Sequence, residues 1–267
     1  MNLEQISQNL NIIARRVGNF IKTEGESFDV AKVEMKGFNN LVSYVDKEAE
    51  KQLVEALREL LPEAGFITEE ETDNTKGERY NWIIDPLDGT TNFTHGLPNY
   101  CVSVGLTDGD DVVVGVVYDP NRDECFSAHK GGGAFCNDAP IKVSEAPKLG
   151  NALIATGFPY YDFGLTQQYL QVLGSFMGKS HGVRRLGSAA LDLVYVAIGR
   201  FEGFFEYNLN PWDVAGGAII VQEAGGKVTK FTEGGDYIFG REIVASNGKI
   251  HSEMLETIAE HWKQQLP

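Results

Sequence analysis

The stretch Tyr100–Pro120, "YCVSVGLTDGDDVVVGVVYDP", limits the fold more than any other part of the chain. Two valine-rich runs flank a polar turn at Asp108–Asp111, the signature of two strands joined by a tight connection. "NRDECFSAHKGGGAFCN" continues this meander, its three glycines marking a turn or bulge. The second half reads differently, because strand-like and helix-like segments alternate there. "ALIATG" is a strand. "LTQQYLQVLGSF" is a helix with Leu165, Tyr169, Val172 and Phe176 on one face. "GVRRL" reads as a short strand running into "GSAALDLVYVAIG", an apolar helix opened by Ser188. "FEGFFE" ends a further strand at Glu206, and "WDVAGGAIIVQEAGG" is a helix stopped by Gly225 and Gly226. "KVTKF" and "EIVAS" are late strands, and Ile250 to Gln265 reads as a last helix. Hairpins followed by alternation predict layered α/β architecture with mixed sheets, not a purely parallel doubly wound fold.

At the N-terminus, Leu3, Ile6, Leu10, Ile13, Val17 and Phe20 or Ile21 recur at helical spacing. Polar residues interrupt this helix throughout, so it resembles neither a signal peptide nor a membrane span, and a cytoplasmic protein is expected. A second helix carries Ala49, Leu53, Leu57 and Leu60 on one face, with Ser43 and Asp46 spaced as a capping box. The three cysteines, Cys101, Cys125 and Cys136, have no CxxC spacing and indicate neither a disulfide framework nor a zinc site. A formal net charge of -15 argues against sequence-independent nucleic-acid binding and against an anionic membrane surface. It leaves room for a phosphorylated small molecule, because a bound cation supplies positive charge locally.

The chemistry concentrates in "NWIIDPLDGTTNF", Asn81–Phe93, where an apolar strand leads into Asp85 and Asp88. Asp, Pro and Gly also form plain turns. Two carboxylates so close together nevertheless raise each other's pKa unless a cation lies between them. The Leu87 carbonyl falls between them, an oxygen-only set suited to Mg²⁺ or Mn²⁺. The spacing is wrong for the D-x-D of haloacid-dehalogenase-type phosphatases, and Pro86, Leu87 and Gly96 spoil an EF-hand loop. Glu69 follows the apolar strand "GFIT" directly and so belongs to an ordered end of the "TEEET" run. Asp213 lies in the first turn of its helix, where the macrodipole favours a carboxylate even without a metal.

In combination, "TEEE", "WIIDPLDGTTNF" and "PWDVAGGAIIVQEAGG" closely resemble the inositol monophosphatase family. "KGFNNLVSYVD", "GVVYDP", "KGGGAFCN" and "RRLGSAALDLVYVAIGR" extend the likeness from about Lys36 to Asn247, with a bacterial flavour. The resemblance implies an αβαβα sandwich, a homodimer, and a single phosphatase domain over 1–267 with lobes at about 1–147 and 148–267. It implies a first Mg²⁺ on Glu69, Asp85 and the Leu87 carbonyl, and a second on Asp85, Asp88 and Asp213. A weaker third would lie on Glu69, and Mn²⁺ would serve as a substitute. Thr90 and Asp46 would orient the attacking water, and the Gly89 and Thr90 amides would take phosphate oxygens. Ala189 and Glu206 would contact substrate hydroxyls, with Lys36, Ser188 and Arg184 as further candidates. The implied activity is Mg²⁺-dependent, Li⁺-sensitive hydrolysis of a small monoester, inositol 1-phosphate foremost. Alternatives are 3'-phosphoadenosine 5'-phosphate, fructose 1,6-bisphosphate or histidinol phosphate as substrate, or a regulatory protein that kept the fold. "ATGFPYYD" departs from the animal enzymes where part of their substrate pocket lies, which weakens the case for myo-inositol. A bisphosphate would call for extra cations, for which Arg184 and Arg185 are available.

Overall fold

A computed structural model describes residues 1–28, 34–37, 40–159 and 163–262; at 34–37 and 40–42 the description covers the backbone alone. Helix α1 (Leu3–Glu26) buries Ile6, Leu10, Ala14, Val17 and Ile21, while Ile13 is only half-buried. Strands β1 (Glu34–Gly37) and β2 (Asn40–Val42) form an antiparallel hairpin. Helix α2 (Tyr44–Leu60) begins with the expected capping box between Ser43 and Asp46 and buries Ala49, Leu53 and Leu57.

The larger sheet contains β3 (Gly65–Thr68), β4 (Tyr80–Asp88), β5 (Cys101–Asp108), β6 (Asp111–Asp119), β7 (Glu124–His129), β8 (Gly133–Cys136) and β9 (Ala139–Pro140), paired in that order. Only β3 and β4 run parallel; the remainder is the antiparallel meander read from the sequence. The second sheet has the order β11 (Gly182–Arg184), β10 (Leu153–Thr156), β12 (Gly203–Tyr207), β14 (Glu242–Ser246), β13 (Lys227–Thr229). Its β10 runs parallel to both neighbours, and β14 is antiparallel to both of its own.

Strand alternation builds the layers. In β4, Trp82 and Ile84 pack with α1 and α2, whereas Ile83 points to the opposite face. That face meets α5 (Ala189–Ala197) and α6 (Pro211–Glu223), which lie between the sheets. In β12, Phe204 faces this central layer, while Phe205 packs with α4 (Thr166–Lys179) and α7 (His251–Ala259). The architecture is therefore an αβαβα sandwich with both sheets covered on both faces. Coverage on both faces explains why β4, β5 and β6 read as near-continuous apolar runs. Among the described residues, no helix is long and apolar enough to cross a membrane.

Two expectations about boundaries change. Strand β4 runs on through Asp88, beyond the "WIID" segment expected to form it, and its pairing with β5 slips between Asp85 and Asp88. Pro86 has no N–H for the ladder, so the strand bulges there and the two carboxyls turn out of the alternation. The last helix ends at Ala259, short of Trp262, and residues 263–265 of the expected span lie outside the described residues.

Candidate active site

The bulge in β4 opens onto a cavity of about 580 Å³ where the two sheets and the starts of α3 (Thr90–Thr94), α5 and α6 converge. Glu69, Asp85, Asp88 and Asp213 line one side of it, and Gly157, Arg185 and Glu206 lie elsewhere on the wall. The four carboxyls come from separate parts of the chain. Glu69 is the first residue after β3, Asp85 and Asp88 flank the bulge, and Asp213 is the third residue of α6.

Local chemistry fixes each of them. The Asp85 Oδ1 accepts the Leu87 N–H at 2.9 Å, which closes the turn through Pro86. The Asp88 Oδ2 accepts both the Ser188 hydroxyl and the Ala190 N–H at 2.7 Å. Ser188 also accepts from Leu191 N at 3.3 Å and so caps α5 while orienting Asp88. The Asp213 Oδ2 accepts the Asn210 N–H at 2.6 Å in a capping box. Gly89 adopts φ 101, a left-handed value that admits glycine freely, and begins α3 with no side-chain cap. Gly89, Thr90 and Thr91 line the cavity at that helix start.

The electrostatics follow from burial and mutual repulsion. Burial pushes Asp85 well above the ordinary carboxyl range, reinforced by the charges of Glu69, Asp88 and Asp213. Glu69 is raised well above its usual value by burial and by Asp213 and Glu70, against a hydrogen bond shared with Asp85. Asp88 is pushed up to about 6 by burial, despite the bonds from Ser188 and Ala190 and the charge of Arg185. Asp213 is pushed up to about 7 by burial and then by Asp88. Among the described residues, no three acidic, histidine or cysteine side chains already close on one point as ion ligands would. The donor set nevertheless fits a hard divalent cation. It is all oxygen, it includes the Leu87 carbonyl, and its repelling charges are what a bound cation would neutralise.

Beside the cluster, the Thr90 Oγ1 lies 3.0 Å from Asp46 Oδ1 and 3.1 Å from the Leu87 carbonyl oxygen, with one proton to give. The Asp46 Oδ2 accepts from the Ser43 N–H at 2.8 Å and from its hydroxyl at 2.6 Å. Asp46 therefore caps α2 and holds Thr90 at once, and burial raises its pKa against those bonds. Glu206 is buried at the end of β12, and its pKa is raised well above normal by burial, with Arg185 opposing. A Cβ on Gly157 would overlap the Glu206 carboxyl, so only glycine lets that group lie there.

Ala189, a candidate contact for substrate hydroxyls, is the first residue of α5 and lines the cavity. Arg184 does not line it: this strand residue is exposed, and its Nη1 donates to the Val183 carbonyl at 3.0 Å. The neighbouring Arg185 does, as alternation along an extended chain would have it. The Lys36 side chain lies outside the described residues. Sequence reading passed over Asp192, buried on α5 with Oδ1 unpartnered and its pKa raised by burial and by Glu206. An aspartate inside the apolar run "AALDLVYVA" was the available signal.

A family model described as the inositol monophosphatase family matches residues 2–265. The "Putative Nus factor SuhB" of Neisseria meningitidis serogroup B is 45% identical over 249 residues, spanning 93% of this chain and 95% of that protein. The crystal structure of extragenic suppressor protein suhB from Bartonella henselae superposes with a TM-score of 0.90 at 38% identity, covering 97% of this chain and all of that one. The Thermotoga maritima IMPase gives a TM-score of 0.86 at 37% identity, with 97% and 98% covered. Sequence motifs, layer order and these likenesses agree, and the chain belongs to the inositol monophosphatase family.

Proposed function

We propose that this protein hydrolyses a small phosphate monoester, inositol 1-phosphate foremost, by direct attack of water and without a covalent intermediate. The observation that carries the reading is Thr90 Oγ1, held between Asp46 and the Leu87 carbonyl at the edge of the four-carboxyl cluster. Glu69, Asp85, the Leu87 carbonyl, Asp88 and Asp213 would hold Mg²⁺, or Mn²⁺ in its place, at two or three positions. Divalent metal there supplies Lewis acidity and a lowered water pKa.

The chain's own groups do the rest. Thr90 Oγ1 takes a hydrogen bond from the attacking water and passes a proton to Asp46 Oδ1, whose raised pKa suits it to accept one. The water oxygen bonds to phosphorus as the ester P–O bond breaks, the leaving alkoxide takes a proton from a solvent water to give the alcohol, and Asp46 returns its proton to solvent. Amides at Gly89 and Thr90 would take the phosphate oxygens, and Ala189 and Glu206 would contact the hydroxyls of the leaving group; that all four residues line the cavity supports this. The family likeness further supports Li⁺ sensitivity, a homodimer and a cytoplasmic location. Phosphate release from inositol 1-phosphate, fructose 1,6-bisphosphate, 3'-phosphoadenosine 5'-phosphate and histidinol phosphate, with Mg²⁺ and again with chelator, tests the reading. Chelator-sensitive release from the first supports it; a bisphosphate preference changes the substrate, and no release from any refutes it.

The name Nus factor, carried by a relative 45% identical over most of the chain, favours a second role beside the first: assembly with transcription machinery. The charge of -15 speaks against binding by phosphate neutralisation, but it does not support excluding nucleic acid from such an assembly. Pull-down of transcription proteins by the wild type and by Asp88→Asn tests that role separately from catalysis.

A further inference from the structure

Glu50 is a completely buried glutamate on α2, one turn beyond Asp46. Its Oε2 accepts the Glu70 N–H at 2.8 Å and its Oε1 accepts the Thr72 N–H at 2.8 Å. Between those two amides lies Glu71, a non-glycine residue with φ 60. A left-handed residue flanked by converging N–H groups forms a concave receptor for anions. Here the receptor is filled from within by a side chain of the same protein. Other bonds pin the far side of the loop: Thr68 N–H reaches Asn74 Oδ1 at 3.2 Å, and the Thr68 hydroxyl reaches the Asp73 carbonyl at 3.3 Å.

We propose that Glu50 is a positioning residue that locks the loop after β3 so that Glu69 is presented to the divalent-metal site. This rests on the metal reading of Glu69 given above. Glu69 is bounded by the parallel β3–β4 pair on one side and by the clamped Glu70 amide on the other. Its backbone therefore has no freedom to retreat from Asp85 when the carboxyls repel each other. Without the clamp, Glu71 is free to leave the left-handed region, and the cluster relaxes by swinging Glu69 outward. Helix α2 then serves the site twice, through Asp46 on Thr90 and through Glu50 on the Glu69 loop.

The test is Glu50→Gln, which fills the same space but can accept only one of the two amides. Two readouts are taken: hydrogen exchange at the Glu70 and Thr72 amides, and Mn²⁺ binding followed by electron paramagnetic resonance. The expectation is exchange at least about tenfold faster and Mn²⁺ affinity about 10–100-fold weaker, with kcat at saturating Mg²⁺ within about threefold of wild type. In the Glu50→Gln background, Glu71→Gly should recover part of the affinity, because glycine holds the left-handed turn without help. Unchanged Mn²⁺ affinity in Glu50→Gln overturns the proposal. So does an affinity loss that merely tracks the fall in Tm and is not recovered by Glu71→Gly. Should the variant not fold, wild-type exchange decides, since unprotected Glu70 and Thr72 amides would overturn the clamp directly. A wild type that binds no Mn²⁺ at all, yet shows both amides protected, would refute the metal reading and with it this role for Glu50.

Discussion

Asp88→Asn should separate stability from function in opposite directions. In the metal-free protein, Asp88 is raised from 3.8 to about 6 chiefly by burial, so at pH 8 the ionised carboxyl is held at a cost. Two pKa units correspond to at most about 3 kcal/mol. The sign is that of an acid whose folded pKa exceeds its unfolded value. The full cost applies above pH 6, shrinks as pH falls from 6, and vanishes near 4. Asparagine keeps a carbonyl oxygen for Ser188 and Ala190 and removes the charge, so Tm at pH 8 with chelator should rise by up to roughly 5 °C. The gain should disappear by pH 4. With Mg²⁺ the order reverses, since wild type gains binding energy that the variant loses. Turnover should fall by about 10²–10³-fold, the scale of losing one charge-stabilising group. Calorimetry with and without chelator, beside phosphate release, makes the comparison. Unchanged or lowered metal-free Tm at pH 8, or near-wild-type turnover, would refute the reasoning.

Ser188→Ala removes both the α5 cap and a donor to Asp88, and should cost about 1–2 kcal/mol in urea unfolding together with weaker Mg²⁺ binding. Gly157→Ala puts a Cβ where the Glu206 carboxyl lies. It should destabilise by about 1–3 kcal/mol and raise KM more than it lowers kcat; an unaltered KM would remove Glu206 from the substrate end. His251 is buried between Thr229 Oγ1 and Ser246 Oγ at 2.9 Å each, and burial together with Lys227 lowers its pKa to about 4. The folded state binds this proton less readily than the unfolded chain, so the contribution is complete above about pH 6.5 and is lost as pH falls toward 4. A His251→Gln variant should show a shallower fall in Tm across that window, and parallel curves would refute the assignment.

How far the sequence could be read depended on whether a residue's role was local. The Ser43–Asp46 box, the Ser188 cap and Asp213 in the first turn of α6 are local geometry, and their spacing showed them directly. The bulge was hidden because Asp-Pro-x-Asp-Gly has the composition of a free turn, and only pairing with β5 keeps it in the sheet. Glu50 was hidden because a glutamate within "DKEAEK" looks like one more charge on a solvated helix face. Its burial is decided by the loop after β3, about twenty residues later. The difference between Arg184 and Arg185 turns on which way each faces at the end of an edge strand, which neighbouring identical residues do not encode.

The distance between the sheet and α6 explains how carboxyls from separate elements meet at all. Added Cβ atoms at Gly105 and Gly115, on β5 and β6, would run into Ala215 and the Gly216 backbone of α6. The Gly216 Cβ position in turn lies 2.8 Å from Ser103 Oγ, and Gly217 gives the matching clearance to Leu193 of α5. Small residues thus meet from both sides, and the helix lies almost backbone to backbone on β5, the partner of β4, and on β6 beyond it. Side chains of ordinary size would hold α6 farther off and carry its first turn, with Asp213, away from the bulge. The "DVAGGA" run is therefore more than a helix packed tightly for its own stability. It sets the height at which Asp213 arrives beside Asp85 and Asp88, just as Glu50 sets the approach of Glu69. The raised pKa values of these groups, due first to burial and then, for Asp85 and Asp213, to neighbouring carboxylates, mark the cost of holding them together. Core packing supplies that cost, and it leaves a site whose charge is ready for a cation before one arrives.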